Sequence, residues 1–215
     1  MDKKENDFAI KFGLITGIAT SIIYPLMITT HGFGLWPLFL EISFGPLFII
    51  GSYAIYLFIK KYGHSFFNQL GFLFSALAGA AVLMMLTVQK SVFSMSMDMK
   101  KTDDPAVQEM IRRSFKSGNL TQLGMDFCWD VLVSLGMFFF ALAITRQSYF
   151  PKWLFVPGLL IGLGGLFLNM LTFPIPPADD QLIDPGPFFA IFYGVLLIIM
   201  LYAVFIKKTL SHESL

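Results

Sequence analysis

The chain has 215 residues, of which 56% are hydrophobic and only 13% charged, with a mean hydropathy of +0.71. Soluble domains carry charge on about a quarter of their residues, so this composition excludes an ordinary soluble fold and defines a polytopic membrane protein. The formal net charge of +1 leaves no basic excess to neutralise phosphates, which excludes nucleic acid as a partner.

A helix needs about 20 largely apolar residues to cross roughly 30 Å of hydrocarbon. Six stretches meet that length. The first, about 8–29, follows Lys3 and Lys4 and continues to Thr29 without a small-x-small cleavage site, so it reads as a retained span rather than a signal peptide. Gly13, Gly17 and Ser21 recur every fourth residue and predict a close helix contact. The short turn after it, THGFG, contains His31.

The second span, about 36–59, carries Glu41 one turn inside its start and the pair Gly45–Pro46 in its interior. Pro46 cannot donate to the carbonyl four residues earlier, which predicts a kink. The third, about 67–88, sets Ser75 and Ala76 beside Gly79 and Ala80 as another small-residue face.

Residues 89–119 form the longest expected connection. Within it, Asp104 before Pro105 reads as an N-cap with proline at the first helical position, predicting a short amphipathic surface helix over PAVQEMIRRSFKS. The fourth span, about 120–145, carries Asp126 and Asp130 four residues apart, so both project onto one helix face.

The fifth span, about 153–173, contains Gly158, Gly162, Gly164 and Gly165, with Asn169 as its one strongly polar residue. Residues 174–187, PIPPADDQLIDPGP, are too proline-rich for a helix and predict a stiff, extended acidic loop holding Asp179, Asp180 and Asp184. The sixth span, about 188–206, has no charge and ends on Lys207 and Lys208. The expected architecture is therefore all-α: a single integral membrane domain, 1–215, built as a six-helix transmembrane bundle with one surface helix between the third and fourth spans.

Counting Lys and Arg near the span ends places both termini on the cytoplasmic side of an inner membrane, with Lys3, Lys4, Lys11, Lys60, Lys61, Arg146, Lys152, Lys207 and Lys208 gathered there. The 89–119 connection opposes that bias through six basic residues, partly offset by Asp98, Asp103, Asp104 and Glu109.

With this orientation Glu41, Asp126, Asp130, Asn169 and His31 all fall in the outer half of the membrane. Ionisable groups inside a bundle mark ligand or proton pathways and need a partner or water. The expected site is an outward-facing acidic pocket for a small cationic or amphipathic ligand, with those five residues as ligand-binding candidates. Competing readings exist for Glu41, Asp126, Asp130 and His31. Asp126 near a helix N-terminus is favoured by the macrodipole alone, and a turn histidine such as His31 is more often interfacial than ligating. The 25 Phe, including Phe138 to Phe140, suit either an apolar ligand or ordinary packing.

Catalysis has little in its favour. Ser43, Ser134 and Cys128 have no histidine in the same or an adjacent motif, and neither a phosphate-binding glycine loop nor HExxH occurs. Cys128 is the only cysteine, so no intrachain disulfide or cysteine-based zinc site forms. Met95, Met97 and Met99 invite a copper(I) reading, against which stands simple packing at a span end. No cofactor is implied. Alternatives to a ligand carrier are an accessory subunit whose Gly13/Gly17 and Gly158/Gly162 faces pack on a membrane partner or a second copy, and an intramembrane lipid-modifying enzyme.

The stretch RQSYFPKWLFVPGLLIGLGGLFLNML, with WDVLVSLGMFFFALAI before it, resembles a family of uncharacterised six-helix bacterial membrane proteins grouped under a domain of unknown function. The similarity covers roughly residues 120–173. It implies a six-helix bundle and no particular activity.

Overall fold

The computed structural model describes residues 3–30, 32, 34–63, 65–177, 180 and 182–207. It is all-helical among those residues: α1 (Lys3–Thr29), α2 (Leu35–Tyr62), α3 (Phe66–Met99), α4 (Pro105–Ile144), α5 (Phe155–Thr172) and α6 (Gly186–Tyr202). A 3₁₀ turn over Lys152–Leu154 leads into α5, and a π-helical stretch, Ala203–Lys207, follows α6. Each of the six is long and apolar enough to cross a membrane.

Consecutive helices run antiparallel and pack against one another from α1 to α5, while α6 packs against α1, α2, α4 and α5 and closes the bundle. Glycine makes the crossings close. A Cβ on Gly13 would stand 2.5 Å from the Ala54 Cβ and 2.9 Å from the Ile50 carbonyl of α2. A Cβ on Gly17 would stand 3.1 Å from the Gly51 Cα and 2.8 Å from the Leu197 side chain of α6. On α5, Gly158 abuts Phe192 and Ala141, and Gly162 abuts Phe138 and the Ser134 carbonyl. The two glycine faces expected to meet a partner or a second copy are thus covered by α2, α4 and α6 of the same chain. That removes the observation on which the accessory-subunit reading rested.

Gly45 serves the same purpose. A Cβ there would run into the carbonyl oxygen of Gly79 on α3. The expected interruption at Gly45–Pro46 is absent in one respect: α2 continues as a single helix through Pro46 to Tyr62.

The main departure from expectation lies between the third and fourth spans. Asp104 does cap a helix, its carboxylate accepting the Ala106 N–H at 2.9 Å, and Pro105 is its first residue. That helix is not a short separate one, because it runs unbroken for 40 residues into the apolar span. α3 likewise continues to Met99, leaving only residues 100–104 outside helix. At about 1.5 Å per residue α4 is roughly 60 Å long, twice the hydrocarbon thickness. Sequence from Gln89 to Gly118 contains no proline outside the N1 position and no glycine before Gly118, so nothing stops either helix once apolarity ends. Val92 packs onto Gly118, holding the extended pair together.

Its exposed turns carry ion pairs: Lys101 with Asp98 at 2.7 Å, and Glu109 with Arg112 and Arg113 at 2.7 and 2.8 Å. The two guanidiniums, Arg112 foremost, hold the exposed Glu109 carboxyl down at about 2. On α3, Met95 and Met99 share a face one turn apart, whereas Met97 projects from the opposite side. The three sulfurs do not converge, which removes the copper reading.

Candidate functional site

Where α1 ends, α2 begins and α6 begins, a cavity of about 400 Å³ opens between the helices. Ligand sites for small molecules commonly span about 300–1,000 Å³. Every helix except α5 contributes to its lining, and the 174–187 connection closes over one side with Pro176 and Asp184. That connection is not extended as expected. Its amides fold back in turns, Ile175 to the Thr172 carbonyl, Asp180 to Pro176 and Leu182 to Pro177.

Four carboxylates line the cavity: Glu41 from α2, Asp126 and Asp130 from α4, and Asp184 before α6. They are graded in depth. Asp184 is exposed, Asp126 half-buried, and Asp130 and Glu41 are only 7% and 8% exposed. The four-residue spacing of Asp126 and Asp130 puts both on the α4 face that meets the cavity, as expected of one helix turn. Asp184 also accepts the Gly186 N–H at 2.8 Å, which satisfies the first amide of α6 and ties the loop to it.

One ammonium faces them among the described residues. Lys90 Nζ lies 2.9 Å from Glu41 Oε1 and donates to the Gly32 carbonyl at 2.5 Å, tying α3 to α2 and to the α1–α2 turn. The other carboxylate oxygen, Glu41 Oε2, is buried without a hydrogen-bond partner.

Aromatic rings line the cavity beside the carboxylates. Trp129, one residue before Asp130 on α4, packs edge-on against Phe44 and Phe48 of α2 at centroid distances of 5.8 and 5.4 Å. Tyr24 of α1 packs on Phe44 at 5.9 Å, and its hydroxyl occupies the space beside Gly186 that any side chain there would fill. Phe48 in turn rests on Tyr193 of α6 at 4.9 Å, whose hydroxyl donates to the Phe48 carbonyl at 3.1 Å. The wall is therefore anchored in the bundle core.

Asn169, on α5, does not line the cavity. It is fully buried behind it and acts on Asp130, donating from Nδ2 to Asp130 Oδ2 at 3.3 Å and to the Gly165 carbonyl at 2.9 Å. Its role is to position the Asp130 carboxylate. His31 and Asp179 lie outside the described residues. Of the five candidates, then, Glu41, Asp126 and Asp130 come together around one cavity, and Asn169 stands behind it. Sequence reasoning missed Tyr24, Gln89, Lys90 and Phe93, all of which line it. Lys90 lies just past the end of the third apolar stretch, so by hydropathy alone it belongs to the connection that follows.

Among the described residues no three of His, Cys, Asp or Glu are close enough to share a metal ion. The carboxylates instead surround a space large enough for an organic molecule. The fold and this cavity define the class: an all-α bundle of six helices long enough to span a membrane, with an acidic, aromatic-walled pocket at one end. No family model, curated protein or solved structure matches the chain.

Proposed function

We propose that this is a bacterial inner-membrane protein with both termini in the cytoplasm, which binds, and moves, a small cationic or amphipathic ligand through the outward-facing pocket at Asp130. Kinship over residues 120–173 to the six-helix family of unknown function is part of the same proposal. The observation that carries the reading is the pairing of four carboxylates with an aromatic wall around one 400 Å³ cavity. Carboxylates attract an ammonium, the faces of Trp129 and Phe44 attract both the cation and an apolar body, and low dielectric strengthens each attraction. Lys90 offsets one carboxylate, so the lining retains an excess of negative charge for an incoming cation.

Phenethylammonium, with 2-phenylethanol as its uncharged counterpart, is a suitable probe. The chain has three tryptophans, so Trp129 fluorescence can be isolated by Trp36→Phe and Trp153→Phe. Saturable quenching by the ammonium, much weaker with the alcohol and weakened about tenfold in Asp130→Asn, is expected. Equal response to the two probes refutes the reading.

A further inference from the structure

At the opposite end of the bundle the α4–α5 connection encloses a second cavity, of about 270 Å³. All of its lining comes from residues 144–155. Its polar members are the Arg146 and Lys152 cations, the Thr145 and Ser148 hydroxyls and the Gln147 amide, with no carboxylate among them. This inverts the chemistry of the acidic pocket.

Neither cation is neutralised by an ion pair among the described residues. Arg146 lies over the Phe67 ring at 5.8 Å, which orients the guanidinium while leaving its donors available. Elsewhere at this end a lysine does find a carboxylate, Lys61 pairing with Asp7 at 2.8 Å. The loop is held in shape by its own backbone, Gln147 N–H to the Ile144 carbonyl at 3.0 Å and Leu154 N–H to Pro151 at 3.0 Å. Ile144 and Phe150, both buried, are among its lining residues and give the cavity an apolar floor.

A second, independent feature begins at this loop. Trp153, Val156, Leu160, Leu163 and Phe167 recur every three or four residues and are each at least 45% exposed, forming one apolar stripe along α5. Gly164 lies within it with open space where a side chain would stand, a notch in the stripe. From Trp153 to Phe167 the stripe is about 21 Å long, more than the roughly 15 Å depth of one leaflet's hydrocarbon. Trp153 at its head is the residue type that marks the membrane–water boundary.

The geometry points to a binding site for an anionic glycerophospholipid, its phosphodiester held by Arg146 and Lys152 with Ser148 and Thr145, and its acyl chains laid along the α5 stripe. Two guanidinium or ammonium groups with hydroxyls suit a phosphate oxygen cluster, and the stripe supplies what a soluble phosphate would not use. This site is independent of the acidic pocket.

The test is native mass spectrometry of the full chain released from neutral detergent, titrated with phosphatidylglycerol, with phosphatidylcholine of the same acyl chains, and with soluble glycerol 3-phosphate. Expected is tighter binding of phosphatidylglycerol than of either other probe, reduced about fivefold for each charge removed in Arg146→Gln and Lys152→Gln, and unchanged in Lys100→Gln/Lys101→Gln at the far end. Equal affinity for the two lipids overturns the proposal, as does full retention of the preference in the double variant Arg146→Gln/Lys152→Gln. Glycerol 3-phosphate binding as tightly as the lipid overturns the lipid assignment. The wild-type comparison of the three probes decides the question by itself if a variant fails to purify.

Discussion

Replacing Lys90 with methionine separates the two roles this ammonium plays. Met keeps most of the side-chain length and removes the charge, leaving Glu41 with a 2.9 Å partner lost and Oε2 already unpartnered. Breaking a buried ion pair from one side costs about 3–5 kcal/mol. The pair here is 18% and 11% exposed by side chain and borders a cavity, which places the loss at about 3 kcal/mol. Glu41→Gln should recover much of it, because the amide no longer needs a counter-charge. A double-mutant cycle should therefore show a coupling of about 2 kcal/mol. Ligand affinity should move the other way. Taking a positive charge from the cavity lining, at a separation on the order of 10 Å from a cation at Asp126 or Asp130 and an effective dielectric of about 20, favours a bound cation by roughly 1–2 kcal/mol, about tenfold. The assay is reversible unfolding in mixed detergent for the four proteins of the cycle, with the phenethylammonium titration on Lys90→Met. Additive losses, with coupling under about 0.5 kcal/mol, or weaker cation binding in Lys90→Met, would refute the reasoning.

Further outcomes are expected from the same geometry. Gly51→Ala should destabilise by about 1–3 kcal/mol, since its new methyl meets the Tyr193 hydroxyl on one side and stands 2.6 Å from the Gly17 Cα on the other. Gly164→Ala, facing open space, should be neutral or stabilise by up to about 1 kcal/mol, and the same unfolding titration reads both. Asn169→Leu removes a donor from Asp130 without touching the cavity, so cation affinity should change while the volume available to 2-phenylethanol does not; equal effects on both probes would contradict a positioning role. Gly186→Ala should displace the Tyr24 ring from Phe44 and lower the affinity of both probes.

Much of this was legible in the residues themselves. Apolar length alone locates six spans, and antiparallel alternation then puts Glu41, Asp126 and Asp130 at one end, because each lies near the start of an apolar span that enters from that side. The structure adds the lateral relation that alternation does not contain, namely that these three face one space rather than separate surfaces. Lys90 escaped notice for a physical reason: hydropathy reports where lipid ends, whereas helix continues as long as backbone propensity allows, and QKSVFSMSMDM offers no stop. The glycine faces were visible at their spacing, but spacing says only that something comes close. That Gly13 and Gly17 meet α2 and α6, and Gly158 and Gly162 meet α4 and α6, depends on the order in which all six helices assemble. Tyr24 had a polar hydroxyl in an apolar span, a signal of the same kind as Asp130 but weaker, since tyrosine is common near membrane boundaries.

The central claim is that a cation sits among these carboxylates against Trp129. Crystals grown in a lipid mesophase and soaked with 4-bromophenethylammonium would place the bromine by its anomalous scattering. The account predicts a peak against the Phe44 and Trp129 rings, with the ammonium nitrogen about 3 Å from Asp126 or Asp130. A filled crystal showing no bromine peak in that cavity, or a peak only at the lipid-facing surface, would contradict it.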